Sequence, residues 1–95
     1  MNAGATIARR LVIAGRVQGV GFRYAFADEA HSRSLCGWVR NRRDGRVEAL
    51  ISGDAAGVEA MIAWAKRGPP AARVSSVEVE EAPAASGSFE IVATL

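Results

Sequence analysis

The sequence alternates between stretches typical of β-strands and stretches with helical periodicity, and this order restricts the fold more than any other feature. Branched apolar residues dominate the strand candidates, whereas Phe22, Phe26 and Ala30 recur at the i, i+4 and i+8 spacing of one helix face. The predicted elements are strand 7–14, helix 22–34, hairpin 36–52, a helix between Asp54 and Gly68, strand 73–80 and a short last strand in 89–95.

This order predicts the α+β class, as a ferredoxin-like β-α-β-β-α-β sandwich. We expect an antiparallel sheet with two helices on one face, plus a short C-terminal strand. A strand–helix–strand crossover within one sheet makes its two strands parallel, so strands 7–14 and 36–41 should end at the same edge. The loop after the first strand and Asn41, which ends the second, should therefore come together.

Length and composition indicate one globular domain over residues 1–95, with residues 1–6 flexible. The 95 residues are 49% hydrophobic and 23% charged, as in globular proteins. The single cysteine, Cys36, cannot form an internal disulfide and suits a reducing compartment. The apolar run near the start is too short for a signal peptide or a membrane span. We therefore expect a soluble, cytoplasmic monomer without a membrane partner.

Positive charge is concentrated in the first half of the chain. Residues 1–46 hold nine arginines against three acids, a net charge of +6, whereas residues 47–95 carry a net charge of −4. Arginine has the side chain best shaped for forked contacts to phosphate or carboxylate. An anionic partner for the first half and an ordinary solvated arginine-rich surface both remain open on composition alone.

Three glycines within seven positions mark the loop after the first strand, where residues 15–24 read GRVQGVGFRY. A dinucleotide fingerprint fails because Tyr24 stands in place of its third glycine, and the lysine of a Walker A loop is absent. An RNA-recognition octamer matches at only three positions and belongs on a strand rather than here. The remaining interpretation is an anion cradle, in which backbone N–H groups, a helix N-terminus and Arg23 face a phosphoryl group.

Three segments of the sequence are similar to one known family. Residues 15–23 read GRVQGVGFR, which resembles the G-x-V-Q-G-V-G-F-R signature of the acylphosphatases. Residues 37–48 read GWVRNRRDGRVE and are similar to that family's G-W-V-x-N-x-x-D-G-x-V-E block. Residues 66–74 read KRGPPAARV and are similar to its K-x-G-P-x-x-A-x-V segment. The resemblance covers nearly the whole chain, residues 7–95.

The resemblance implies an enzyme that hydrolyses small acyl phosphates to a carboxylate and inorganic phosphate, with no metal, no cofactor and no nucleic acid. Arg23 and Asn41 would be the catalytic residues, with Asn41 positioning the attacking water. The implied phosphate-binding residues are Arg16, Val17, Gln18, Gly19, Val20, Gly21 and Arg23.

One departure from the family pattern is Arg33-Ser34-Leu35, where Leu-Gly-Leu is frequent. Loss of that glycine should alter how the first helix ends and lower local stability. A second hypothesis also remains open, namely a non-catalytic anion-binding or interaction module on the same sandwich.

Overall fold

The branched apolar run near the start forms β1, Thr6–Arg16, which is longer than the predicted strand at both ends. The computed structural model describes residues 5–95. Thr6, which was expected in a flexible start, is the first residue of β1, and residues 1–4 of that start lie outside the described residues. The other elements are α1 (Phe22–Ser32), β2 (Cys36–Asn41), β3 (Val47–Asp54), α2 (Ala55–Arg67), β4 (Arg73–Glu81) and β5 (Phe89–Ile91).

The five strands form one sheet in the order β4-β1-β3-β2-β5. β1 pairs antiparallel with β3 and β4, and β3 pairs antiparallel with β2. β1 and β2 therefore run in the same direction with β3 between them, which confirms the predicted ferredoxin-like fold. β5 pairs parallel with β2, so the sheet is mixed rather than purely antiparallel.

Both helices cover the same core, because α1 packs on β2 and β5 while α2 packs on β1, β3 and β4. Four rings at the centre have neighbouring centroids between 5.8 and 6.1 Å apart, those of Phe22, Phe26, Trp64 and Phe89. Aromatic side chains bury more apolar area than any others, so this cluster contributes much of the stabilisation. The predicted apolar face of α1 is its buried face.

α1 ends at Ser32, two residues before the predicted end, because Ser34 leaves the helical conformation. Ser34 has a φ of 56°, the one positive φ of a non-glycine residue within residues 5–95. Its N–H donates to the His31 carbonyl and the Leu35 N–H donates to the Ala30 carbonyl, which is a Schellman ending. Glycine is the usual residue at such a position, so the serine carries a conformational cost.

A charged network occupies the sheet face that points away from the helices. Val47 and Ala49 of β3 point into the core, so Glu48 between them points outward, yet its side chain is only 3% exposed. Arg10 Nε donates to Glu48 Oε2 at 2.6 Å, and Arg40 Nε donates to Oε1 at 3.1 Å. Burial raises the pKa of Glu48, but the hydrogen bonds and charges of Arg40 and Arg10 outweigh it and hold the pKa below its usual value.

Candidate active site

The glycine-rich loop connects the end of β1 to the start of α1. Gly19 and Gly21 have φ values of 73° and 77°, in the left-handed region that side chains other than glycine avoid. Gly21 caps α1, and its carbonyl accepts the first helical hydrogen bond, from the Ala25 N–H at 3.0 Å. The two glycines therefore turn the chain sharply from the sheet into the helix.

This turn leaves a row of backbone donors unused. The N–H groups of residues 18–21 donate no hydrogen bond to any residue that the structure describes. The first N–H groups of α1 also lack helical partners, as at any helix start, and the positive end of the helix dipole lies here. Unpaired N–H donors at a glycine turn and a helix start are chemically suited to binding an anion.

Arg23 lies in the first turn of α1, directly after these donors. Its side chain is half-buried and makes no ion pair within residues 5–95. Its guanidinium carbon lies 5.9 Å from the centre of the Tyr24 ring. The guanidinium is therefore a cation with no carboxylate partner among the described residues, placed beside unpaired N–H donors.

Asn41 is the last residue of β2 and reaches the same end of the sheet as the loop, because β1 and β2 run in the same direction. Its side-chain Oδ1 is buried and accepts no hydrogen bond from any described residue. Buried polar atoms are nearly always hydrogen-bonded, so an unpaired acceptor marks a position where an external donor fits.

These groups share one cavity of about 140 Å³. A water molecule occupies roughly 30 Å³ of liquid, so this cavity has the volume of about four or five waters, enough for a phosphoryl group with an adjacent water. Its walls are formed by Val17, Gln18, Gly19, Gly21, Phe22, Arg23, Tyr24 and Asn41. The structure thus brings most of the predicted site residues together around one small space.

Two predicted phosphate-binding residues, Arg16 and Val20, are not on the cavity wall. Arg16 is exposed and lies opposite Arg73 at the end of the β1–β4 pair, and Val20 packs against the core. Phe22 and Tyr24 also form part of the wall, although neither was predicted to belong to the site. The available signal for Tyr24 was its position directly after Arg23, off the apolar face of the helix.

Gln18 joins the loop to the hairpin that carries Asn41. Its side-chain Nε2 donates to the Arg42 carbonyl at 2.8 Å and to the Arg46 carbonyl at 2.9 Å. Both hydrogens of the amide are therefore used on the turn that follows Asn41. These two bonds fix the loop relative to β2, so Gln18 sets the geometry between the two halves of the cavity.

The turn itself is organised by Asp44. Its carboxylate accepts from the Arg46 backbone N–H at 3.0 Å and from the Arg46 Nη2 at 2.7 Å, and it pairs with Arg42 at 3.0 Å. The hydrogen bonds from Arg46, together with the charge of Arg42, lower the pKa of Asp44 to about 2. Two of the hairpin arginines are thus engaged in the turn rather than free for a ligand.

A family model for acylphosphatases matches residues 9–91 of this chain. The chain belongs to the acylphosphatase family. An acylphosphatase of Acidovorax sp. (strain JS42) is 56% identical over 83 residues, covering 87% of this chain and 86% of the relative. The crystal structure of the Bacillus subtilis acylphosphatase has a TM-score of 0.85 at 42% identity, covering 90% of this chain and 98% of that one.

The same fold also matches a small part of a much larger protein. The crystal structure of full-length HypF in its phosphate- and nucleotide-bound form matches with a TM-score of 0.87 at 31% identity. That match covers 96% of this chain and 12% of HypF.

Membership of the acylphosphatase family, at such identity to curated relatives, supports an enzyme that hydrolyses acyl phosphates, with a small-molecule substrate and phosphate as product. Neither helix that the structure describes is long and apolar enough to cross a membrane. The expectation that acylphosphatase chemistry here needs no metal and no cofactor stays a prediction.

Proposed function

We propose that this cavity hydrolyses acyl phosphates by direct attack of a water, positioned by Asn41, on a phosphoryl group held by Arg23 and the unpaired loop amides of residues 18–21. The main support is that the unpaired Arg23 guanidinium and the buried, unpaired Oδ1 of Asn41 line the same cavity. A cation and a row of N–H donors suit the phosphoryl oxygens. The unpaired Oδ1 of Asn41 can accept a hydrogen bond from a water and so orient the water oxygen toward phosphorus.

The reaction needs little more than these groups. The water oxygen forms a bond to phosphorus while the bond from phosphorus to the acyl oxygen breaks, and the electron pair leaves with the carboxylate. Both protons of the water remain with the phosphate product. A carboxyl pKa of about 4 lets the leaving group depart without protonation. Positioning and stabilisation of the charge on the phosphoryl oxygens then account for most of the acceleration.

Hydrolysis of benzoyl phosphate by the purified protein tests this assignment. We expect Arg23→Ala and Asn41→Ala to lower kcat/KM by about 10²–10³, the range observed when a transition-state donor is removed. Arg9→Ala is the matched control, because Arg9 is a half-buried arginine near the start of β1, at the opposite end of that strand from the loop, and is not on the cavity wall. It should retain the wild-type rate.

Inhibition by inorganic phosphate separates the two roles. Arg23→Ala should lose this inhibition, whereas Asn41→Ala should keep it, because Asn41 contacts the water and not the phosphate. Circular dichroism of each variant establishes that it is folded. Equal rates in wild type and both variants would remove these residues from the mechanism.

A second function receives some support from the match to 12% of HypF, since the same sandwich occurs there as one piece of a larger protein. This alternative is an anion-binding module without catalysis. Phosphate binding without turnover of any acyl phosphate would establish it in place of the enzyme.

We also propose that the protein acts in the cytoplasm, in keeping with its single cysteine, and that it is a monomer. Light scattering coupled to gel filtration should give the mass of one chain, 10.0 kDa.

A further inference from the structure

Tyr24 is the most exposed of the large hydrophobic side chains within residues 5–95. It is 67% exposed, whereas its neighbours on α1, Phe22 and Phe26, are essentially buried. The ring is not part of the hydrophobic core, and it lies 5.9 Å from the Arg23 guanidinium carbon. What distinguishes Tyr24 from an ordinary exposed side chain is that it also forms part of the cavity wall.

The position of Tyr24 is at the wall of the cavity. The Arg23 guanidinium carbon lies 5.9 Å from the centre of the ring and both side chains line the same cavity, so a phosphoryl group held by Arg23 would lie close to the ring. The cavity of about 140 Å³ has the volume of about four or five waters, too small for the phosphoryl group, a water and an aromatic acyl group together. An aromatic acyl group must therefore extend out of the cavity, where Tyr24 is the exposed apolar surface.

We infer that Tyr24 is a specificity-determining residue that contacts the acyl group of the substrate and favours planar, apolar acyl groups over small ones. This inference rests on the proposed function of the same cavity. A planar acyl group can stack on the tyrosine ring and cover apolar area on both partners, whereas an acetyl group covers little. The tyrosine hydroxyl has no part in the reaction, because the carboxylate leaves without a proton.

The test compares benzoyl phosphate with acetyl phosphate. Aromatic pairs contribute enough that Tyr24→Ala should lower the ratio of the two kcat/KM values roughly 2- to 12-fold. Tyr24→Phe keeps the ring and should leave the ratio within twofold of wild type. Val79→Ala, which trims an exposed apolar side chain on β4 away from the cavity, is the control for a general loss of surface.

Inhibition by inorganic phosphate distinguishes contact with the acyl group from an effect through Arg23. Phosphate does not reach the ring, so its inhibition constant should be the same in Tyr24→Ala and wild type. If both substrates slow equally and phosphate inhibition weakens, Tyr24 acts by holding Arg23 and the inference is wrong. An unchanged ratio in an active Tyr24→Ala enzyme also overturns it, whereas no turnover by wild type refutes the proposed function itself.

Discussion

Replacement of Gln18 by methionine tests whether the loop and the Asn41 hairpin must be held together. Methionine keeps the length of the side chain but removes both hydrogen bonds to the Arg42 and Arg46 carbonyls. Those carbonyls keep other donors, Gly45 N–H at 3.1 Å and Arg42 N–H at 2.8 Å, so neither is left unpaired. At about 0.5–1.5 kcal/mol for each lost bond, the free energy of unfolding should fall by about 1–3 kcal/mol.

The effect on catalysis should exceed what this loss of stability explains. A displacement of about 1 Å between reacting groups can lower a rate on the order of 100-fold, and the Gln18 bonds connect the loop to the turn that directly follows Asn41. We expect kcat for benzoyl phosphate to fall about 10- to 100-fold at a temperature where the variant is fully folded. Phosphate inhibition should change little, because Arg23 and the loop glycines remain.

Urea unfolding and steady-state kinetics on the same preparation provide the measurement. Asp44→Asn weakens the hydrogen bonds from Arg46 that organise the same turn, and it serves as an independent comparison. Its kcat should also fall. A Gln18→Met enzyme with reduced stability but unchanged kcat would show that the two bonds support the fold alone. Unchanged stability and unchanged kcat together would refute the coupling.

Two further predictions concern stability away from the cavity. Ser34→Gly should raise the free energy of unfolding by about 0.5–1 kcal/mol in urea titrations, since glycine adopts the φ of 56° without a steric cost; a destabilised variant would contradict the Schellman assignment. Glu48→Gln should lower stability by about 1–3 kcal/mol at pH 7, because it leaves Arg10 and Arg40 without their shared carboxylate. The folded-state pKa of Glu48 lies below its usual value of 4.5, so its contribution to stability is complete above pH 4.5 and is lost as the pH falls through the folded-state pKa. Thermal melts should show a difference from wild type that shrinks as the pH is lowered below 4.5, and an undiminished difference would contradict this linkage.

The meeting of the glycine loop with Asn41 could be predicted from the sequence, because it follows from topology. Two parallel strands joined by a helix must end at the same edge, whichever side chains they carry. The order of strand and helix patterns was enough to determine that topology. Local motifs then indicated which residues lie at the two strand ends.

The Gln18 bonds and the place of Tyr24 on the cavity wall could not be predicted in the same way. Gln18 reaches carbonyls whose directions depend on how Asp44 folds the turn at 42–46, and no periodicity encodes those directions. Tyr24 lies two positions from Phe22, off the apolar helix face, which accounts for its exposure, but its place on the cavity wall depends on how the loop and Asn41 are arranged in space. Ser34 was predictable in part. The family pattern, which often has glycine here, predicts an altered helix end, but the φ of 56° comes only from the backbone of the structure.

β3 contributes no residue to the cavity wall, yet it determines how wide the cavity is. It lies between β1 and β2 in the sheet. Its residue Glu48 pairs with Val12 of β1 on one side and with Arg40 of β2 on the other. A two-residue slip of β3 against either neighbour would shift Asn41 relative to the loop by roughly 7 Å, more than any hydrogen bond spans. A variant in which β3 pairs with β1 or β2 in the wrong register would therefore be folded but inactive. Turnover of this protein thus reports on the register of its central strands.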